Sequence, residues 1–506
     1  MRYLHKQLFF AIIIIALIAP GCSKNYLDVN NDPNRVTGDN ITPELIFTQA
    51  AVTTGIRMVG GQAGSEGAVT DVQFAENWVG YMSGTGDFAS NGPISTYNLD
   101  FTFADNSWKR DYALLADLYA VKTKSLVANG DTVLAGAAMI LSAKVWQEMV
   151  DAFGDIPYSQ AFQPNTYSHP QYDNAQDIYN SLLLSLDTAI NFMQQNAPSS
   201  FAATDVVNGG DQTKWIHFAN TLKLRLLIRQ SEVAGFDPSV EINKIQNNGS
   251  VLGAGESVSV NPGYSNSQAK QSPFYGNYGY TPTGNAAAQG WGANNYILSI
   301  LQASSDPRIA RFFTLSSTGG YLGGDFGLYN GNPTSSQISY FGDALVRSPD
   351  QDQWIYPSYE SLFLKAEAIA RGWMEGDAKT AFEDAITESF VWLGVPDAQN
   401  AAATYIADNP DIADWSNAGT SADSKDKFVV YQKYIANTCI DPRESWADER
   451  RLYFLPSGFI SNDDNRISNT LPLRLPYAQS EYTTNAESVL KEGSVNIFST
   501  KIFWEP

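Results

Sequence analysis

Cys22 is the residue whose neighbours in the sequence most clearly indicate a chemical role. A short basic start leads into an unbroken apolar run over 8–19, and Pro20-Gly21 directly precede the thiol. This is the layout of a secretory signal with a small-residue cleavage site. The run is shorter than the roughly 20 apolar residues that a membrane-spanning helix needs. We therefore predict that residues 1–21 are removed, which leaves Cys22 as the first residue of the mature chain.

The segment resembles the signal of a bacterial lipoprotein. In such a chain the cysteine carries the lipid, so the mature protein is tethered to a membrane surface without crossing it. The alternative is an ordinary signal peptide in which Cys22 is coincidental.

A second group of candidate residues consists of aromatic side chains in stretches rich in Gly, Asn and Ser. The chain has 26 Tyr, 26 Phe and 11 Trp. Flat rings can stack on the apolar C–H faces of sugars, while amides and carboxylates bond the hydroxyls. From composition and loop position we predict a ligand-binding set with Asn277 and Asn294 as hydrogen-bonding partners and these platforms: Trp78, Tyr81, Tyr275, Tyr278, Tyr280, Trp291 and Tyr321. The alternative is that roughly half of these rings anchor loops to the scaffold.

Other motifs do not support a metal or a cofactor. Asp28–Asp32 alternates oxygen ligands like a calcium loop, but Pro33 replaces the glycine that such a loop requires. No Cys/His cluster has zinc-ligand spacing. Carboxylates are numerous, so counting leaves a glycosidase pair open. We predict a protein that is not an enzyme and has no metal or cofactor, with a surface hydrolase acting on glycans as the alternative.

The net charge limits the classes of partner that the protein can bind. Lys and Arg number 32 against 53 Asp and Glu, for a net charge of −21. So acidic a surface repels nucleic acid and anionic lipid, which argues against both as partners.

The other cysteine, Cys439, has no partner if Cys22 is acylated, so stability must come from the core rather than from a disulfide.

The elements that must position these residues are mainly helices. Helical periodicity begins near Thr42-Pro43-Glu44, a cap, a first-turn proline and an acid. Some of the later helices pair through short turns such as Asn129-Gly130-Asp131, the layout of tetratricopeptide-like hairpin repeats. Strong amphipathic stretches lie at about 108–128, 131–152, 174–196, 213–233, 357–375, 378–393 and 424–438.

We expect a signal at 1–21, a polar leash at 22–41 and a single domain over 42–506. Loop-rich insertions at about 60–106 and 249–350 carry the predicted ligand-binding set. Apart from a short helix around 293–303, the second insertion has no single period. Loops this long inside a compact domain are usually functional.

Several stretches resemble the SusD/RagB family of surface nutrient-binding lipoproteins. Residues 154–161, Gly-Asp-Ile-Pro-Tyr-Ser-Gln-Ala, look like the family's Gly-Asp-x-Pro-Tyr-Ser-x-Ala segment. Residues 215–225 are similar to its Trp-x-x-Phe-Ala-Asn-x-Leu-Lys-Leu-Arg helix. Further similar segments follow in order at 306–308, 362–372, 444–451, 474–481 and 501–504. The resemblance covers nearly the whole chain.

The resemblance implies a mostly α fold in which tetratricopeptide-like helical hairpins support a loop-rich ligand-binding face. It also implies a lipid-anchored protein at the cell surface, on the outer membrane. Such a protein captures an oligosaccharide or, less often, a peptide, and passes it to a SusC-like TonB-dependent transporter. A structural lid for the transporter, without its own ligand, is disfavoured by the aromatic loops. Within the similar segments we expect ion pairs and helix-end contacts from Lys365, Glu367, Arg225, Arg450 and Arg451.

Overall fold

The structure is a computed structural model that describes residues 41–61, 70–88, 92–198, 200–328, 330–456 and 459–506. The predicted signal, Cys22 and the leash up to residue 40 lie outside these ranges. Residues Pro43–Pro506 form one unit.

Helices dominate the described residues. The longer ones are α1 Pro43–Arg57, α2 Thr70–Trp78, α4 Asp105–Lys124, α5 Thr132–Phe153, α6 Ala175–Met193, α8 Gln212–Arg229, α9 Ser239–Asn247, α10 Asn295–Ala303, α12 Ser358–Ala370, α13 Ala378–Trp392, α14 Ala398–Asp408, α16 Ala422–Ala436 and α17 Pro442–Leu452. The short ones are α3 Pro93–Thr96, α7 Phe201–Thr204, α11 Ile309–Phe312, α15 Pro410–Ala413, α18 Gln479–Thr484 and α19 Ala486–Val489. Four short strands form two antiparallel pairs, β1 Met82–Gly84 with β3 Trp291–Ala293 and β2 Val258–Val260 with β4 Gln353–Tyr356.

The seven predicted amphipathic helices are confirmed as α4, α5, α6, α8, α12, α13 and α16. Two of them begin at an aspartate in a short turn, which for Asp131 is the turn noted above. Asp131 accepts a hydrogen bond from the backbone N–H of Leu134 at 3.0 Å, and Asp377 accepts one from Thr380 at 2.8 Å. Each aspartate satisfies an N–H group that the first turn of a helix leaves unpaired.

The longer helices pack as neighbouring hairpins. Helix α4 lies against α5, α5 against α6, and α6 against α8, while α12 packs on α13 and α16. Within the described ranges, α5 is the one helix long and apolar enough to cross a membrane, but 94% of that window is buried. Helix α5 is therefore a core helix of the scaffold, and the predicted tetratricopeptide-like architecture is confirmed.

A buried cluster of charges joins the hairpins at Glu444 of α17. This carboxylate is 1% exposed and accepts from three cations. Arg225 lies 2.7 Å away and Lys433 2.8 Å away, and Arg229 also donates to it. Burial opposes ionisation, but the three cations outweigh it and hold the pKa of Glu444 well below its usual value. One side chain thereby links α8, α16 and α17.

The neighbouring arginines extend this cluster. Arg451 pairs with Glu367 of α12 at 2.6 Å and is buried. Arg450 donates to the backbone carbonyls of Asp151 and Leu473, both at 2.7 Å. The expected joining role is thus observed for Arg225, Glu367, Arg450 and Arg451. Lys365 is half-buried, and it forms no ion pair among the described residues.

Buried carboxyls make the stability depend on pH in two directions. Burial raises the pKa of Glu449 and of Glu505 to about 7. Their contribution to the free energy of unfolding therefore increases as the pH falls from 7 towards 4.5, the usual pKa of a glutamate. At Glu367 burial is outweighed by Arg451 and Arg371, which lower the pKa to about 2, so this contribution is lost as pH falls from 4.5 through 2. We expect the thermal midpoint to rise between pH 7 and 4.5 and to drop below pH 4. A midpoint that keeps rising to pH 2 would contradict this.

Candidate ligand-binding face

The two predicted loop-rich stretches meet at a pair of short strands. Strands β1 and β3 run antiparallel, with Gly84 opposite Trp291. One residue further along, the N–H of Thr85 donates to the carbonyl of Gly290 at 3.0 Å. The pairing places the first stretch directly beside the second.

A third segment joins them near Tyr340. The Tyr340 hydroxyl donates to the carbonyl of Ser335 at 2.7 Å and lies 3.3 Å from that of Gln289. Its neighbour Ser339 donates its N–H to the carbonyl of Leu322 at 2.8 Å. These bonds connect four segments, which we call the loop face: 84–88, 275–291, 321–322 and 335–340.

Four of the predicted platforms keep part of their rings accessible on the loop face. Tyr280 is 49% exposed, and Tyr275, Trp291 and Tyr321 are half-buried. The rings of Tyr275 and Tyr280 lie 6.1 Å apart at 53°. A π-helical turn over Tyr275–Gly279 sets this pair, and the N–H of Ala287 donates to the carbonyl of Gly279 at 2.9 Å, which brings the chain back towards Trp291.

Two further rings on the loop face were missed by the sequence prediction. Phe88 is 47% exposed and packs over Gly290, where a Cβ atom would lie 3.6 Å from the ring. Tyr340 is half-buried. Both lie in the stretches already marked as rich in Gly, Ser and aromatics, so composition carried the signal that could have found them.

Trp78 and Tyr81 are corrected from ligand platforms to core residues, because each is 0% exposed. Trp78 ends helix α2 and donates its indole N–H to the carbonyl of Ile94 at 3.1 Å. The Tyr81 hydroxyl bonds the carbonyl of Tyr434 at 2.5 Å and the hydroxyl of Ser445 at 2.8 Å. Neither ring has a free face for a ligand.

Tyr278, Asn277 and Asn294 are also corrected. Tyr278 is 4% exposed, with its ring 5.2 Å from that of Phe341. Asn277 is buried and donates to the carbonyl of Gly61 at 2.6 Å. Asn294 is the N-cap of α10 and is 2% exposed. Both amides form hydrogen bonds that hold the loops, which agrees with the alternative that some of the predicted residues anchor loops to the scaffold.

The titratable groups of the loop face are a carboxylate and phenols. Asp87 accepts from the N–H and hydroxyl of Ser335 at 2.7 and 2.6 Å, and these bonds hold its pKa below the usual value. Burial, and then Asp87, raise the pKa of Tyr340. Burial, and then Tyr280, raise the pKa of Tyr275. At neutral pH the face therefore carries an ionised carboxylate and protonated phenols, of which the Tyr340 hydroxyl already donates to the Ser335 carbonyl.

No group of three or more His, Cys, Asp or Glu side chains in the described part of the chain is arranged to hold a metal ion. The aspartates at 28 and 32 that were weighed as calcium ligands lie outside that part.

Comparisons place this architecture among known structures. A chitin-binding SusD homolog from Flavobacterium johnsoniae superposes with a TM-score of 0.75 at 24% identity, covering 91% of this chain and 98% of that one. A SusD homolog from Bacteroides fragilis gives 0.73 at 20% identity, with 92% and 99% covered. A SusD/RagB family protein from Bacteroides thetaiotaomicron gives 0.73 at 22% identity, with 92% and 99% covered. These likenesses show the fold.

The sequence itself matches a family over residues 39–478, nearly the whole chain. That family is described as SusD-like, "Starch-binding associating with outer membrane". A comparison with curated proteins found no match. The helical-hairpin scaffold, the loop face mounted on it and the extent of the match lead to one conclusion: the chain belongs to the SusD-like family.

Proposed function

We propose that this protein is a non-catalytic, lipid-anchored binding protein that captures an oligosaccharide on the loop face at the cell surface. Cys22 would carry the lipid, and a SusC-like TonB-dependent outer-membrane transporter would receive the ligand. The observation that carries the proposal is the set of accessible rings gathered around β1 and β3. The description of the family, starch-binding and associated with the outer membrane, supports it.

The loop face has the chemistry that a glycan needs. The rings of Phe88, Trp291, Tyr321 and Tyr340 offer apolar surfaces on separate segments that are fixed to one another by hydrogen bonds. Separated rings suit a ligand longer than a single sugar, because each ring can meet a different residue of the chain. Fixed loops lower the entropy cost of binding.

Replacing Trp291 by alanine is expected to weaken glycan binding about tenfold, because a stacking surface is lost. Maltohexaose and chitohexaose are the probes, following the family description and the chitin-binding relative. Isothermal titration of the full chain in detergent gives the affinity. Phe101→Ala is the matched control, since that ring is 48% exposed and lies outside the loop face. Equal affinities for the Trp291→Ala variant and the wild type would contradict the proposal.

A surface hydrolase is the second reading, and the electrostatics of the loop face count against it. A glycosidase acid must keep its proton near neutral pH, which requires a raised pKa. The pKa of Asp87 is instead lowered by Ser335. We expect the same oligosaccharides to be bound without new reducing ends, and turnover would overturn this assignment.

The transporter is the proposed partner, and it fits the family's association with the outer membrane. Affinity purification of the full chain from solubilised membranes should recover a large TonB-dependent barrel. Recovery of the chain alone, from detergents that preserve other membrane complexes, would remove the delivery step while leaving glycan capture in place.

A further inference from the structure

A cavity of about 360 Å³ lies among the scaffold helices. Helices α4, α5 and α6 form its walls, together with the segment 158–163 that follows α5. We call it the scaffold pocket. It shares no lining residue with the loop face, and its volume falls in the range of small-molecule sites.

Aromatic rings line the scaffold pocket in a continuous series. The ring of Tyr119 lies 5.6 Å from that of Phe162, which lies 6.1 Å from Trp146. Trp146 is in turn 5.0 Å from Tyr158, at 77°. The hydroxyl of Ser142 and the amide of Gln163 add polar groups to the lining. Rings beside hydroxyl and amide groups suit a ligand with an apolar face and polar edges.

A lysine at the edge of these rings has no counter-ion in the part of the chain that the structure describes. Lys122 is half-buried, and its ammonium lies 4.9 Å from the centre of the Tyr119 ring. Among the described residues it forms no ion pair, and burial alone lowers its pKa. Partly burying a charge without a partner is costly, and an anion in the pocket would offset that cost at Lys122, even though the chain as a whole is acidic.

The segment that closes the pocket is held in place before any ligand arrives. The carboxylate of Asp173 accepts from the N–H groups of Tyr158 and Ser159 at 2.9 and 2.8 Å, and from the Ser159 hydroxyl at 2.6 Å. Phe162 has a left-handed backbone with φ of 61°, which is rare for a bulky side chain. Surroundings that impose such a conformation occur often at binding sites.

We propose that the scaffold pocket binds a hexuronate residue of an acidic oligosaccharide. The sugar's C–H face would stack on the rings, its hydroxyls would bond the serine and glutamine groups, and its carboxylate would pair with Lys122. Since the pocket and the loop face have separate linings, this site goes beyond the proposed function and does not depend on it.

The test uses trigalacturonate and its methyl ester, in which each carboxylate charge is removed and a methyl group is added. Isothermal titration of the full chain in detergent should show binding of the acid and roughly tenfold weaker binding of the ester, because the ion pair is lost. Lys122→Gln should reduce the affinity for the acid to that for the ester. Lys124→Gln, the same change two residues further along α4 and outside the lining, should leave it unchanged.

Phe162→Ala provides a second variant that retains Lys122 and should also weaken binding of the acid. Circular dichroism melting of each variant separates lost binding from lost folding. The proposal fails if the acid does not bind, or if Lys122→Gln binds it as the wild type does. It also fails if only Trp291→Ala abolishes binding of the acid, which would place the sugar on the loop face. If neutral glycans fail to bind the loop face, the proposed function fails, but these titrations still test the scaffold pocket.

Discussion

Replacing Cys22 by alanine is expected to release the protein from the membrane completely. Each buried CH₂ group of a lipid contributes about 0.8 kcal/mol, and stable anchoring needs more than one chain. Without the thiol there is nothing to acylate, so the whole contribution disappears. Cell fractionation with metabolic palmitate labelling would show the chain without label in the soluble fraction.

Cys439→Ala is the matched control for this experiment. Cys439 is the only other cysteine, and it is 1% exposed. Burial raises the pKa of its thiol well above the usual value, which makes it a poor nucleophile. The control should stay labelled and membrane-bound. A label that remained on the Cys22→Ala protein would contradict acylation of Cys22. So would a wild type without label, and in either case the segment would be an ordinary signal peptide in which Cys22 is coincidental.

Glu444→Gln is expected to cause the largest loss of stability. The substitution keeps the shape but removes the negative charge that Arg225, Arg229 and Lys433 share inside the protein. Removing one partner of a buried ion pair typically costs about 3–5 kcal/mol, because the remaining charges stay buried. Urea unfolding followed by far-UV circular dichroism measures the change in unfolding free energy.

The matching surface substitution is Glu383→Gln. Glu383 pairs with Lys379 one helical turn away at 3.7 Å, and both side chains are partly exposed. Exposed pairs of this kind contribute about 0.2–1 kcal/mol. Similar losses in the two variants would mean that the buried cluster does not hold the hairpins together.

Much of the scaffold could be predicted because its helices have one apolar face. Helix α6 is an example, with Ile178, Leu182 and Leu186 buried along one stripe. Helix α2 has no such stripe, because it buries Gln73 and Glu76 as well as Phe74. Hydropathy therefore assigned it to a loop-rich stretch. Where a helix buries polar side chains beside apolar ones, the hydrophobic periodicity carries no signal.

Only part of the predicted ligand-binding set is accessible, because burial is decided by contacts that are remote in sequence. Tyr278 and Tyr280 belong to the same Gly-rich stretch, yet one is 4% exposed and the other 49%. Tyr278 packs on Phe341, which the sequence gives no reason to place beside it. The composition of a stretch predicts that rings occur at a face, whereas the fold selects which rings are accessible.

The pairing of β1 with β3 has a consequence for how the protein matures. It joins Gly84 to Trp291, so more than 200 residues must be synthesised between the two halves of the loop face. Contacts this distant close slowly, and chains fold as they emerge, from the amino terminus onward. A nascent or truncated chain that stops before residue 290 would lack the strand that pairs with β1. The loop face is therefore assembled only after synthesis has passed residue 291, and the amino-terminal half of the chain cannot form it alone.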